Sequence, residues 1–273
     1  MLSYRTLFSN VTSVIGMIHV KSLPGTPNYK GSVQKIIDEA CSEAEIYNQT
    51  KVHGVIVENM HDVPYVLEAE SGPEITANLT RLCAEIRKVL PPSVPVGVQI
   101  LSGCNKAALA TAQAAGLDFI RAESFVFGHM ADEGLMNAQA GPLLRYRKQI
   151  GADNVLVFTD IKKKHSSHAI TADVDITETA KAASFFLSDG LIITGNATGD
   201  PADVSQLMSV KNAVDLPILI GSGVTSDNVE HYMTADALII GSHFKQGGRW
   251  QNPVDKEKVY KFMEKVNNLQ QRG

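Results

Sequence analysis

Short apolar runs recur along the chain at 14–20, 54–57, 96–100, 119–122, 155–158, 191–194, 218–220 and 238–240, without strict apolar/polar alternation. Continuous hydrophobicity over so few residues marks parallel strands covered on both faces. The stretches between them carry the helical period. Val33, Ile36, Ile37, Ala40, Cys41, Ala44 and Tyr47 fall on an i, i+3, i+4, i+7 stripe behind Ser32, a suitable N-cap. Asp200-Pro201 reads as the cap and first residue of a helix burying Val204, Leu207 and Val214. Val259, Phe262, Met263, Val266 and Leu269 stripe the last helix. Eight strands alternating with helices predict an α/β protein with a single (β/α)8 TIM barrel over 13–273, and an open doubly wound sheet is the alternative.

The connections are asymmetric. Helix-to-strand links are short, as at Gly116-Leu117-Asp118 and Thr234-Ala235-Asp236, whereas strand-to-helix links are long, at 21–31, 60–75, 124–141, 161–173 and 243–253. Long excursions therefore gather at the C-terminal end of the strands, the end at which barrels build their sites.

Composition narrows the class without naming a reaction. With 44% hydrophobic and 20% charged residues the chain is an ordinary globular protein, and 25 basic against 29 acidic residues, for a net charge of −4, argue against a nucleic-acid surface. No apolar run approaches the roughly 18 residues of a membrane span. Cys41, Cys83 and Cys104 are few, odd in number and lack a C-x-x-C pair, which suits a reducing compartment. Residues 1–12 carry Arg5 and several hydroxyls but no acid, so they read as a short leader, part of a mitochondrial targeting segment. The expected location is the mitochondrial matrix, with the cytoplasm as the alternative, and homo-oligomer formation is left open.

The candidate chemistry clusters at the strand ends. Gly221-Ser222-Gly223 and Gly241-Ser242 close the last two strands, where glycines leave backbone N–H groups open to an oxyanion. Thr225 or Ser226 is placed to cap a following helix and turn its amides to the same point. This pair is expected to form a phosphate cradle, with Gly223 tolerating an added side chain at the expense of ligand alone. Thr194 and Gly195 of the sixth strand end would line the same pocket. Glu58, with Asn59, ends the second strand as a candidate acid or base, or as the ion-pair partner of Arg121 on the fourth. On the fifth, Asp160 and Lys162 share a face by alternation, so a carboxylate and an amine are expected at the axis, with Lys163 and Lys164 in solvent. His165 and His168 could share a face, but no third ligand accompanies them, and neither metal nor cofactor is expected. His19 and Gln99, ending strands one and three, join the pocket by position.

Several of these stretches together resemble one family. Gly16-Met-Ile-His19 with Leu23-Pro-Gly-Thr-Pro27, Val55-Ile-Val-Glu-Asn59 with Asp62-Val-Pro64, Phe119-Ile-Arg121, Leu144-Arg-Tyr-Arg147, Asp160-Ile-Lys162 with Lys164-His165, Thr194-Gly195 with Thr198-Gly199, and Gly221-Ser-Gly223 look like the BtpA family, in order from the first strand to beyond the seventh. The resemblance implies a ribulose-phosphate-binding type of barrel, and the family takes its name from a role in photosystem I biogenesis. The sequence departs from the family pattern twice. Leu101-Ser-Gly-Cys-Asn105 stands where Leu-Arg-Asn-Asp is usual, and Arg121-Ala-Glu-Ser124 stands where Arg-x-Asn is usual. A shift in substrate preference is expected from these changes. The function expected overall is binding of a phosphorylated small molecule, a sugar phosphate or nucleotide, with Glu58, Asp160 and Lys162 acting on it. The rival is a non-enzymatic assembly factor using the same face as a partner surface.

Overall fold

The computed structural model describes residues 3–8, 12–195 and 197–272. Its strands are β1 (Ser13–His19), β2 (Gly54–Glu58), β3 (Val96–Gln99), β4 (Phe119–Ala122), β5 (His129–Ala131), β6 (Gly134–Met136), β7 (Leu156–Asp160), β8 (Ser166–Ser167), β9 (Gly190–Ile193), β10 (Ile218–Ile220) and β11 (Ala237–Ile240). Eight of them, β1, β2, β3, β4, β7, β9, β10 and β11, pair in parallel, and β11 returns to β1 to close the barrel. Closure removes the sheet edges and excludes the open-sheet alternative. The remaining three form a small antiparallel sheet in the order β6-β5-β8.

The helices are α1 (Tyr4–Leu7), α2 (Val33–Gln49), α3 (Pro73–Val89), α4 (Asn105–Ala115), α5 (Ala140–Gln149), α6 (Ile176–Phe185), α7 (Val204–Ala213) and α8 (Lys256–Arg272). Ser32 caps α2 by accepting from the Lys35 amide, as the pattern predicts. Two expectations fail locally. The cap of α7 is Asp203, whose side chain accepts from the Ser205 amide, while the Asp200 carbonyl accepts from Ser222 Oγ and belongs to the loop before the helix. Between β10 and β11 the described residues form only a 3₁₀ turn, Val229–Tyr232; Asn228 Oδ1 takes the Thr225 amide and closes that loop on itself.

Alternation along each strand sorts the core into two. Val14, Ile18, Val55, Val57, Val98, Ile120 and Val157 face outward onto the helices. Ile15, Met17, Ile56, Phe119, Leu156, Phe158, Ile192, Leu219, Ala237 and Ile239 fill the barrel interior. Tyr4 and Phe8 belong to this inner cluster: Phe8 stacks on Tyr4 at 5.0 Å, Tyr4 meets Phe158 edge-on, and Phe8 meets Phe119 edge-on. Tyr4 also donates to the Asp236 carbonyl, and Arg5 pairs with the Asp236 carboxylate at 3.0 Å. The segment 3–8, expected as a leader, is thus the floor of the barrel; positions 1, 2 and 9–11 of that leader lie outside the described residues.

Candidate functional site

One step above the apolar interior, the same alternation turns His19, Glu58, Gln99, Arg121, Asp160, Thr194, Gly221 and Gly241 toward the axis. Register aligns them: His19 lies beside Glu58, and Glu58 beside Gln99. A cavity of about 480 Å³ opens above this ring at the C-terminal mouth, a volume suited to a small ligand. Its lid side comes from the β5–β6 turn, Asp132 and Glu133, and from Trp250 and His165. The hairpin was readable in Asp132-Glu133-Gly134, a two-residue turn followed by a glycine at φ 105°, and falls within the long strand-to-helix link 124–141.

The charges inside are mostly paired. Arg121 donates to both oxygens of Asp160, from Nε at 2.9 Å and from an Nη at 2.8 Å, with both side chains buried. Burial opposes the guanidinium charge, but the Asp160 carboxylate outweighs it and holds Arg121 charged. The partner of Arg121 is therefore Asp160 and not Glu58. Glu58 faces His19, with 3.9 Å between Oε2 and Nε2, and burial raises its pKa above the ordinary carboxylate value against the pull of Arg121 and Lys164. His19 Nδ1 lies 3.1 Å from the Trp250 carbonyl, which can only accept, so the ring donates there and presents an unprotonated Nε2 to the cavity. Burial, reinforced by Lys245, keeps this histidine neutral by lowering its pKa well below 6.5. Gln99 Oε1 is buried beside them with no hydrogen-bond partner among the described residues.

The fifth strand end departs from simple alternation. β7 stops at Asp160, and Lys162 adopts φ 49°, which turns its side chain out of the barrel to donate to the Thr171 carbonyl at 2.9 Å. Lys162 is thus not the amine of the cavity. Lys163, expected in solvent, is buried on Glu123 at 3.0 Å, and Lys164 lines the cavity. His165 bonds Thr198 at the rim while His168 packs on His129, so the two do not share a face. Among the described residues no cluster of three His, Cys, Asp or Glu side chains could hold a metal.

The two stretches expected to depart from the family pattern meet in space. Glu123 accepts from the Gly103 amide at 2.7 Å and from Ser102 Oγ at 3.3 Å, while Asn105 bonds both the carbonyl and the amide of Glu123. Burial opposes its charge, but Lys163 and the Gly103 amide lower the Glu123 pKa below the ordinary value. These positions thus form one module beside the cavity, which spacing alone could not reveal.

Opposite lies the glycine-rich wall. Ser222 Oγ accepts from the Gly195 amide at 2.7 Å and donates to the Asp200 carbonyl at 3.0 Å, so its hydroxyl ties two loops together. Gly223, at φ 71°, packs so closely that a Cβ would stand 2.1 Å from the Asp200 carbonyl oxygen. A side chain there would break the loop as well as fill the pocket, contrary to expectation. Among the described residues no acceptor takes the N–H of Gly223, Val224, Ser242 or His243, and all four line the cavity. Ser242 opens a 3₁₀ turn, Ser242–Phe244, whose first amides are left over by geometry. Three further expected residues serve structure. Asn59 is spent on the Leu101 amide and Asp62, Thr194 Oγ1 accepts from the Lys164 amide, and Gly195 bonds Ser222. Glu123 lines the cavity as its place at the end of the fourth strand suggests, whereas Lys164, Tyr65, His243 and Trp250 line it although sequence reasoning did not select them.

Fold and site define a (β/α)8 barrel with a charged cavity in its C-terminal mouth. The chain belongs to the BtpA family, whose match spans residues 10–268. It is 45% identical over 268 residues to a Caenorhabditis elegans protein named as uncharacterized and mitochondrial, covering 97% of this chain and 96% of that one. It is 30% identical over 261 residues to the photosystem I biogenesis protein BtpA of Synechocystis, covering 94% and 88%. Among solved structures, orotidine 5′-monophosphate decarboxylase from Methanocaldococcus jannaschii, in complex with the inhibitor BMP, superposes with a TM-score of 0.60 at 15% identity, covering 94% of this chain and all of that one. No helix among the described residues is long and apolar enough to cross a membrane.

Proposed function

We propose that this barrel binds a phosphorylated small molecule, a sugar phosphate or a nucleotide, and acts on it. The observation that carries the reading is the group of four open amides, Gly223, Val224, Ser242 and His243, at the ends of the last two barrel strands. Such amides neutralise an oxyanion without a counter-charge of their own, and loops seven and eight with a short extra helix are a recurrent phosphate site of barrels. A neighbour named for a nucleoside monophosphate supports the same ligand class. Across the cavity, Glu58 is poised to give or take a proton, with His19 facing it; Gln99 supplies an acceptor, and Asp160 fixes the Arg121 guanidinium at the floor. Lys162, turned outward, has no place in this chemistry. The name of the worm relative supports a mitochondrial location.

Calorimetry with ribose 5-phosphate, and mass spectrometry of small molecules retained by the native protein, test the reading. Ser242→Glu is the decisive variant, because it sets a carboxylate at the cradle where the native hydroxyl holds no hydrogen bond among the described residues. Retained phosphorylated ligand in the wild type, lost in Ser242→Glu, is the expected result; equal binding by both would refute the cradle. The name of the Synechocystis relative supports a second reading, an assembly factor. A stoichiometric protein partner captured equally by wild type and Ser242→Glu would favour it.

A further inference from the structure

We infer that Lys164 is the reactive amine of the cavity and that its ligand is a phosphorylated aldehyde or ketone, captured through the carbonyl as a Schiff base. This rests on the phosphate reading for the ligand's other end and adds the reacting group and its partner.

Three consecutive lysines leave β7, and the fold disposes of them differently. Lys162 is bonded away to Thr171, and Lys163 is neutralised by Glu123. Lys164 has neither hydrogen-bond nor ion-pair partner for its amine among the described residues, yet it lines the cavity within electrostatic reach of Arg121, Glu58 and Asp160. Its backbone is pinned: its amide donates to Thr194 Oγ1 at 3.0 Å, and Lys162 and His165 on either side hold φ 49° and 53°. Left-handed backbone at two non-glycine residues is held only where surrounding contacts fix it. A lysine whose amine is held by no salt bridge and feels a nearby guanidinium is ill suited to storing charge and well suited to acting as a nucleophile. Burial first, and Arg121 next, push its pKa down to about 8. At pH 7 roughly a tenth of such amines are neutral, on the order of a hundredfold more than for an ordinary lysine.

The proton traffic closes with Glu58. The Lys164 nitrogen attacks the carbonyl carbon, and the C=O π pair moves to oxygen. Protonated Glu58 gives its proton to that oxygen and takes one from the new ammonium, leaving a carbinolamine. Glu58 then protonates the hydroxyl; water leaves as the nitrogen lone pair forms the C=N bond. The products are an iminium on Lys164, one water and a Glu58 carboxylate beside the cation. Burial, which raises the Glu58 pKa against the pull of Arg121 and Lys164, shifts the group toward the acid form that the first transfer uses.

The test is reductive trapping with sodium borohydride at pH 7, using dihydroxyacetone phosphate, followed by peptide mapping. Glycerol 3-phosphate, which lacks the carbonyl, is titrated in parallel by calorimetry. Reduced adduct should accumulate on Lys164 about tenfold or more over exposed lysines such as Lys35, and the labelled peptide should be unmodified in Lys164→Arg. Adduct spread over lysines by exposure, or none at Lys164, overturns the inference. Glycerol 3-phosphate binding then decides the other reading: with binding but no adduct only the lysine assignment falls, whereas adduct at Lys164 without binding upholds the lysine and removes the cradle.

Discussion

Replacing Phe8 by alanine measures whether the first residues are a leader or part of the barrel. Phe8 is 1% exposed, stacks on Tyr4, meets Phe119 edge-on at 6.1 Å, and presses where Gly54 has no side chain; a Cβ on Gly54 would stand 2.9 Å from its ring. Loss of a fully buried phenylalanine costs about 3–5 kcal/mol, combining lost transfer energy with the cavity left behind. Little collapse can relieve it, because the hole faces a closed ring of strands. At about 2–3 °C per kcal/mol for a chain of this size, the melting temperature should fall by about 6–15 °C. Urea denaturation followed by circular dichroism should show a lower midpoint at unchanged slope. Phosphate-ligand affinity should not change, since Phe8 lies at the opposite end of the barrel from His19. A loss below about 1 kcal/mol, in the range of surface substitutions, would refute the floor assignment.

Two further perturbations probe the mouth. Gly223→Ala sets a Cβ against the Asp200 carbonyl in a left-handed residue; that conformation alone costs alanine about 1–2 kcal/mol, so calorimetry should show lost phosphate-ligand binding together with a lower urea midpoint. Glu123 has a folded pKa below its unfolded value of about 4.5, so its contribution is present above that pH and is lost as pH falls through the folded value. Glu123→Gln should therefore flatten the acid limb of the stability–pH curve, and an unchanged limb would remove Glu123 as its source.

The barrel was legible because its evidence is periodic. Eight apolar runs with long links on one side specify strand order and mouth, and alternation from Ile15 through Met17 to His19 places the ring residues without a structure. Legibility stops where the strands do. Lys162 continues the alternation on paper, but β7 ends at Asp160 and a left-handed residue turns the chain. The Glu58–Arg121 pairing failed for a related reason: both point inward, but Arg121 reaches Asp160 on the adjacent strand with both of its donors, and a bidentate geometry outweighs proximity in sequence pattern. The floor was missed because Tyr4 and Phe8 have no period to read, being only two anchors on one helical turn.

The three lysines after β7 allow sequence, fold and chemistry to be separated by a single series of alanine variants. Lys162 reaches a carbonyl at the protein's margin, so Lys162→Ala should change stability by less than about 1 kcal/mol and leave borohydride trapping intact. Lys163→Ala leaves Glu123 charged and buried without its partner, at about 3–5 kcal/mol. Lys164→Ala should behave oppositely. It removes an unpaired, partly desolvated cation beside Arg121, so the urea midpoint should hold or rise while trapping disappears. Groups held against their own solvation for chemistry raise stability when deleted, and groups held for structure lower it. If Lys164→Ala destabilised the barrel as much as Lys163→Ala, the amine would be part of the scaffold, and the nucleophile would have to be sought elsewhere in the cavity.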